Sequence, residues 1–188
     1  DSTDAIQSDF MITGDLVLQT TAGAITVSDG DTDTGTLGIS ASGNILLTAG
    51  GTSNIKNDAD VISTGGHISL NASQDILQNA DITAQASGKT IDLLASRHIT
   101  MAQTTSSTTT NNGDISLVAT SGDVTIETLA AGTKNISVIA TAGNIVDGDT
   151  AGDTEVDVTA PRSCSETMPY ASKQISLQRP MHKISSMP

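Results

Sequence analysis

The chain has 188 residues, which fits one domain, and Phe10 and Tyr170 are the whole of its phenylalanine, tyrosine and tryptophan content. The 21 acidic residues outnumber the 8 lysines and arginines, so the net charge of −13 repels phosphate groups and excludes nucleic acid as a partner. Cys164 is the single cysteine, which excludes an internal disulfide, and no apolar run is as long as the roughly 18 residues of a membrane-spanning helix.

A block of two short alternating segments joined by a turn of small residues recurs six times. The copies are residues 15–27, 36–47, 67–78, 90–101, 114–126 and 135–147. The first-strand anchors are spaced 21, 31, 23, 24 and 21 residues apart and are Leu16, Leu37, Ile68, Ile91, Ile115 and Ile136. The second-strand anchors follow at spacings of 20, 31, 23, 25 and 21 residues and are Ile25, Ile45, Ile76, Ile99, Val124 and Ile145. Two series in the same register indicate one structural unit per period.

Each unit has the pattern of strands with one buried face. Apolar and polar residues alternate, as in Ile115, Ser116 and Leu117. Strands this short are unstable alone, and stacking coil on coil at about 4.8 Å gives each of them partners. The pattern therefore predicts an all-β fold, a parallel β-solenoid (β-helix) of about six to seven coils of about 20–25 residues.

Several details follow from this register. The predicted inward ladder is Leu18, Ile39, Leu70, Leu93, Leu117 and Val138. A third strand per coil is expected around Val61, Ile82 and Leu129. Residues 50–64 are interpreted as a protruding loop or small hairpin, and the threonine-rich residues 104–112 as a polar corner loop rather than an ice-binding ladder. The turn glycines are expected to need positive φ and are Gly23, Gly43, Gly122 and Gly143.

One block, GGHISLNASQDILQNADITAQASGKTIDLLASRHITM (65–101), resembles the repeats of filamentous-haemagglutinin-type bacterial exoproteins, large adhesins exported by two-partner secretion. The resemblance covers roughly residues 14–160. It implies a right-handed β-helix with an extracellular location at the bacterial surface, as a repeat-shaft segment of a longer chain. The implied role is a stalk or an adhesive surface for a glycan or protein on a host or neighbouring cell.

The repeat pattern divides the chain into three parts. Residues 1–13 are a leading segment, residues 14–160 are the repeats, and residues 161–188 are an irregular tail rich in proline, methionine and basic residues. The tail is either a cap or a non-native extension.

Two acidic turns are the candidate metal sites. One contains Asp29, Asp31 and Asp33, and the other contains Asp147, Asp149 and Asp153. Alternating carboxylates beside glycine can present several oxygens to Ca²⁺, which prefers six to eight oxygen ligands. The alternative is a solvated acidic turn, and no other cofactor is predicted.

No catalytic residue is predicted. His67 and His98 lie at different phases of the repeat and are expected at different corners, while His182 lies in the tail. His98 occupies a turn position that other copies fill with Asn44, Asp75, Asp123 and Asn144, and these asparagines and aspartates are expected to stack into structural ladders. The expected function is therefore non-catalytic, structural or adhesive. The alternatives are a carbohydrate-polymer lyase or hydrolase and a phage or virion fibre segment.

Overall fold

The computed structural model describes residues 9–30, 36–103, 107–148 and 158–160, with the side chains of Ser107 and Thr109 left out. The described residues form nineteen strands and no helix. Three strands make one coil. Coils 1 to 3 are β1 (Phe10–Ile12), β2 (Leu16–Thr20), β3 (Ile25–Val27); β4 (Leu37–Ala41), β5 (Ile45–Ala49), β6 (Ile55–Asn57); β7 (Asp60–Ser63), β8 (Ile68–Ala72), β9 (Ile76–Gln78). Coils 4 to 6 are β10 (Ile82–Ala84), β11 (Ile91–Ala95), β12 (Ile99–Met101); β13 (Ser107–Thr110), β14 (Ile115–Ala119), β15 (Val124–Ile126); β16 (Thr128–Ala130), β17 (Ile136–Ala140), β18 (Ile145–Asp147), and β19 (Val158–Thr159) begins a seventh.

The coils stack into three parallel sheets. The first strand of every coil joins the seven-stranded sheet A, the second joins the six-stranded sheet B, and the third joins the six-stranded sheet C. Each strand pairs in parallel with its equivalents in the coils before and after it. The predicted parallel β-solenoid is therefore confirmed. The corners AB, BC and CA are the links between consecutive strands of the sheets that their letters name.

The interior is a set of aliphatic ladders. One inward ladder in sheet B is Leu18, Leu47, Leu70, Leu93, Leu117 and Val138. The inward-facing isoleucines of the middle coils, such as Ile68, Ile91 and Ile99, have lost nearly all contact with solvent, and each such side chain contributes about 1.5–3 kcal/mol when fully buried. Ile136, Val138 and Ile145 are only half-buried, because β17 and β18 have a described partner strand on one side only.

The predicted register was wrong in the second copy. Leu37 and Ile39 belong to sheet A, where Ile39 pairs with Phe10 and Val61, so the ladder position predicted for Ile39 is filled by Leu47. Ile45 starts a sheet B strand and not a sheet C strand. The extra residues therefore lie between β3 and β4, and not in the segment 50–64.

The structure corrects three other details of the sequence analysis and confirms a fourth. The supposed loop or hairpin at 50–64 contains the whole of β6 and β7, two ordinary strands of the stack. The threonine-rich segment, interpreted as a loop, contains β13, whose Thr108 and Thr110 are buried. Strand β1 already pairs with β4, so the stack takes in part of the segment 1–13 that was set aside as a leading segment. The expected third strand is confirmed in coils 3, 4 and 6.

Of the four predicted turn glycines, Gly43, Gly122 and Gly143 are required for close approach between coils and not for positive φ, whereas Gly23 has neither requirement. Among the described residues, the glycines with positive φ are Gly14, Gly51, Gly88 and Gly132, none of which was predicted. At Gly66 an added Cβ would overlap the backbone carbon of Gly43 in the coil before it, and at Gly143 it would overlap the carbonyl oxygen of Gly122. Stacked backbones leave no space there for a side chain.

Replacing Ile115 by aspartate should unfold the middle of the rod. Ile115 is 1% exposed and stacks between Ile91 and Ile136, so the variant buries an unpaired carboxylate, which costs several kcal/mol. Ser137→Asp is the matched control, because Ser137 is exposed on the outer face of the same sheet. Thermal melting should show a large loss for Ile115→Asp and little change for Ser137→Asp; equal melting temperatures would contradict the core assignment.

Two glycine substitutions test the close approach of the corners. Gly66→Ala should lower the melting temperature, because the new methyl group would displace the backbone of coil 2. In Gly23→Ala the nearest atoms are those of Thr20 at 3.9 Å, and loss of chain entropy in the unfolded state favours the variant by about 0.4–1 kcal/mol. A Gly66→Ala protein as stable as Gly23→Ala would show that the coils can separate at that corner.

Candidate functional site

The chemically versatile side chains lie at the corners, where they form ladders between coils. The AB ladder consists of the residues directly before each sheet B strand, which are Asp15, Asn44, His67, Thr90, Asp114 and Asn135. Asp15 Oδ1 accepts a hydrogen bond from the backbone N–H of Asn44 at 2.6 Å, and Asn44 Oδ1 accepts from that of His67 at 2.9 Å. His67 Nδ1 accepts from the backbone N–H of Thr90 at 3.0 Å. Each of these side chains therefore holds the backbone of the next coil.

The BC ladder repeats this arrangement before the sheet C strands, and its members are Asn54, Asp75, His98, Asp123 and Asn144. Asn54 Oδ1 accepts from the backbone N–H of Asp75 at 3.0 Å, and Asp75 Oδ1 accepts from that of His98 at 3.1 Å. His98 Nδ1 accepts from the Asp123 amide at 3.0 Å, and Asp123 Oδ1 accepts from the Asn144 amide at 2.7 Å. The expected structural ladder is confirmed, with Asn54 in place of Asn44, which belongs to the AB ladder.

Asp75 carries the main ion pair of the BC ladder. Arg97 Nε donates to Asp75 Oδ1 at 2.7 Å, and its terminal nitrogen contacts the second carboxylate oxygen. The hydrogen bonds from Arg97 hold the pKa of Asp75 below its ordinary value, with a smaller lowering by the backbone N–H of His98 and an opposing effect of burial. The same pair raises the pKa of Arg97.

The CA corner contains a second acidic group. Lys56 Nζ lies 2.7 Å from an oxygen of Asp58, and Asn79 Nδ2 donates to the other oxygen at 2.6 Å. Both hydrogen bonds lower the pKa of Asp58, that from Lys56 most. Asp60 Oδ1 accepts from the backbone N–H of Asp81 at 3.0 Å. At this corner too, the carboxylates bind the neighbouring coil.

The predicted calcium ligands lie mostly outside the described residues. Asp31, Asp33, Asp149 and Asp153 belong to that group, so the calcium proposal rests on the sequence there. Asp29 is exposed in the link after β3, and Asp147 is exposed at the end of β18. Both lie at the sheet C end that leads into corner CA, but five coil spacings apart, about 24 Å at the spacing of stacked strands. They therefore belong to two separate turns. Among the described residues, no group of three or more His, Cys, Asp and Glu is placed to hold a metal ion.

The outer face of sheet B presents two rows of side chains at coil spacing. The first row is Val17, Leu46, Ser69, Asp92, Ser116 and Ser137, and the second is Gln19, Thr48, Asn71, Leu94, Val118 and Ile139. Leu94 and Ile139 are 43% and 46% exposed. The apolar row, defined as Leu94, Val118 and Ile139, is thus a continuous aliphatic strip across three coils, beside the hydroxyls of Ser116 and Ser137.

Sequence reasoning missed the AB ladder and the polar part of the interior. An Asp or Asn directly before Leu16, Ile115 and Ile136 was the available signal for the ladder. Inside the solenoid, Thr108 Oγ1 donates to Gln78 Oε1 at 3.1 Å and Asn57 Nδ2 donates to the carbonyl of Ala80 at 3.1 Å. Asn57 Oδ1 is buried without a hydrogen-bond partner among the described atoms. No sequence signal separated Asn57 from an outward asparagine once its segment was interpreted as a loop.

In comparisons with protein-family models, curated proteins and solved structures, no match to the chain was found. Within the described part of the chain, no helix is both long and apolar enough to cross a membrane.

Two substitutions at Asp75 separate its ladder role from its charge. Asp75→Ala removes the acceptor for the His98 amide and the partner of Arg97, and should cost about 2–3 kcal/mol of unfolding free energy. Asp75→Asn keeps an amide oxygen as acceptor, as Asn54 does in the same ladder, and should cost about 1 kcal/mol or less. Denaturant unfolding at neutral pH measures both values, and equal losses would contradict the ladder role.

The contribution of the Asp75 charge should depend on pH in the acidic range. Because its pKa is lower in the folded chain than in the unfolded one, the stabilisation is present above about pH 4 and disappears as the pH falls through the lowered value. The difference in unfolding free energy between the wild type and Asp75→Asn should therefore shrink below about pH 4. A difference that stays constant down to strong acid would show that the ion pair does not stabilise the fold.

Proposed function

We propose that the chain is a non-catalytic structural and adhesive segment of an extracellular bacterial surface protein. In this role the stacked coils form a rigid spacer, and their flat outer faces contact a glycan or protein on a host or neighbouring cell. The sequence resemblance to haemagglutinin-type exoproteins supports the location and the class of partner.

The proposal rests on the hydrogen bonds by which the histidine and aspartate side chains of one coil bind the backbone of the next. Both described histidines accept backbone amides of the next coil, and Asp15, Asp75 and Asp123 do the same. A general acid or base must be within hydrogen-bond reach of a substrate. Side chains whose ring nitrogen or carboxylate oxygen already binds the backbone serve the architecture of the rod instead.

The outer face of sheet B is the proposed contact surface. Parallel strands at about 4.8 Å spacing place equivalent side chains in straight rows, so the apolar row offers one continuous aliphatic strip. Ser116 and Ser137 flank it in register with Asp92. An aliphatic strip beside hydroxyl groups can bury apolar area in a partner while forming hydrogen bonds at its margin.

Bead adhesion tests the proposal. Fluorescent beads that carry the full 188-residue chain are incubated with cultured epithelial cells and with bacteria, and the bound beads are counted. The double variant Leu94→Ser, Ile139→Ser should reduce binding several-fold, because it removes the two most exposed members of the apolar row. Val146→Ser is the matched control, since Val146 is 40% exposed on sheet C.

Three outcomes would contradict the proposal. Wild-type beads that bind neither cell type would contradict an adhesive role for the segment. Equal losses in the double variant and the control would contradict the assignment to sheet B. Turnover of pectin, alginate or a glycosaminoglycan that one Asp→Asn change abolishes would identify an enzyme instead.

A further inference from the structure

We propose that His67 and His98 make the two junctions of coil 4 sensitive to acid, so that the rod loosens at its middle when these imidazoles become protonated. His67 belongs to coil 3 and holds the backbone of coil 4, while His98 belongs to coil 4 and holds the backbone of coil 5. The two junctions are therefore the two faces of a single coil.

The acceptor geometry at His67 requires a neutral ring. Its Nδ1 lies 3.0 Å from the backbone nitrogen of Thr90, whose N–H donates to it, and 3.0 Å from Thr90 Oγ1. A backbone N–H has no other role than donor, so Nδ1 must provide the lone pair and the ring hydrogen must sit on Nε2. A proton on Nδ1 would point at the Thr90 N–H and remove the bond.

His98 has the same geometry at the other corner. Its Nδ1 accepts the backbone N–H of Asp123 at 3.0 Å. The ring also packs closely under coil 5, since a Cβ added at Gly122 would lie 2.6 Å from the same nitrogen. If the ring is protonated, Nδ1 can move away from the Asp123 N–H only by displacing the backbone of coil 5 or by losing the packing against it.

The other described ladder positions lack this property. Their acceptors are amide oxygens, as in Asn44 and Asn54, or carboxylates, as in Asp114 and Asp123. Amides do not titrate, and carboxylates lose their charge only near pH 4. Imidazole is the side chain whose protonation falls between about pH 5 and 8, so mild acid acts selectively at the two histidine junctions.

The charged neighbours differ between the two sites. His67 lies between the uncharged Asn44 and Thr90, and the Asp92 carboxylate accepts a hydrogen bond from Thr90 Oγ1 at 3.0 Å. Lys89 adjoins Thr90 in the chain, and Asp114 follows in the next coil. None of the three charged side chains, Asp92, Lys89 and Asp114, has a hydrogen bond to the ring of His67, whose partner is the uncharged Thr90.

At His98 the neighbouring charges partly offset the loss of the hydrogen bond from the Asp123 amide on protonation of the ring. Asp75 lies below, with Oδ1 accepting the His98 amide, but its charge is paired with Arg97. Asp123 lies above, and its Oδ1 is occupied by the amide of Asn144. The carboxylate of Asp75 attracts an imidazolium, so protonation should weaken the junction less at His98 than at His67.

The tautomer of the two rings is the first test. Nitrogen-15 NMR of the full chain near neutral pH should show the Nε2–H tautomer for both His67 and His98, because Nδ1 is the acceptor in each. A hydrogen on Nδ1 of either ring would overturn the proposal at that junction. This measurement uses the wild-type chain and needs no substitution to fold.

Melting as a function of pH is the second test. Between about pH 7.5 and about pH 5 the wild type should lose about 2–4 °C of melting temperature for each ladder bond broken. His67→Asn should remove more of this loss than His98→Asn, and the double variant should remove all of it, since Asn fills the same position in other coils. His182→Asn, outside the described residues, is the control and should behave as the wild type.

Each remaining outcome decides against the proposal. A wild type that melts at the same temperature across this range, or a double variant that keeps the full loss, would overturn it. If the variants do not fold, hydrogen exchange in the wild type replaces them. The Thr90 and Asp123 amides donate to histidines, and the Asn135 and Asn144 amides donate to carboxylates. In acid, protection of the first pair should fall about tenfold more than protection of the second pair. Equal changes in the two pairs would overturn the proposal.

Discussion

The backbone N–H of the residue directly before each sheet B and sheet C strand is the group on which this solenoid depends. In a parallel sheet, successive amides point to opposite neighbours. The amide of Leu16 reaches the carbonyl of Asn44 in the next coil, whereas the amide of Asn44 points back towards coil 1. The chain turns a corner there, so the carboxylate of Asp15 supplies the acceptor. Each such hydrogen bond contributes about 0.5–1.5 kcal/mol, and it is repeated at successive coils.

This requirement explains the composition of the corners. The ladder residue must be short enough for its acceptor to lie one coil away, and Asp, Asn and His all satisfy this. The backbones must also approach closely enough for the bond to form, which is why Gly66 and Gly143 leave no space for a Cβ. The acidic character of the chain thus has a partly structural origin, because Asp15, Asp75 and Asp123 stabilise the stack as acceptors.

Much of the fold could be predicted because strands with one buried face have a period that no other structure shares. The anchors Ile68, Ile91 and Ile115 were placed correctly, and so was the His98 corner. The sheet to which a strand belongs could not be predicted in the same way. The segments around Ile39 and around Leu47 alternate alike, and only backbone pairing and core filling distinguish sheet A from sheet B. Gly38 illustrates the role of core filling: a Cβ added there would lie 2.6 Å from Val27 and 2.9 Å from Ala59 in the packed interior, and the sequence alone does not reveal this contact. The exposed apolar row was within reach of the sequence, because Leu94, Val118 and Ile139 directly follow the predicted inward residues Leu93, Leu117 and Val138 and must therefore face outward.

The ladders give the rod a uniform geometry but unequal junctions. His98, Asp123 and Asn144 occupy equivalent positions in successive coils. The side chain of His98 accepts the backbone N–H of Asp123, and that of Asp123 accepts the backbone N–H of Asn144, so the backbone geometry is the same at both junctions. Their chemistry differs, because an amide oxygen is a constant acceptor, a carboxylate adds a charge that Arg97 or Lys56 can pair, and an imidazole accepts only while neutral. A repeat that is monotonous in shape therefore has junctions of different strength and different response to conditions, set by one side chain per corner. The outer face of sheet B is free of this constraint, because the side chains of Leu94 and Ser116 accept no backbone hydrogen bond from the described residues of a neighbouring coil. Residues at these positions can therefore vary without loss of a ladder bond.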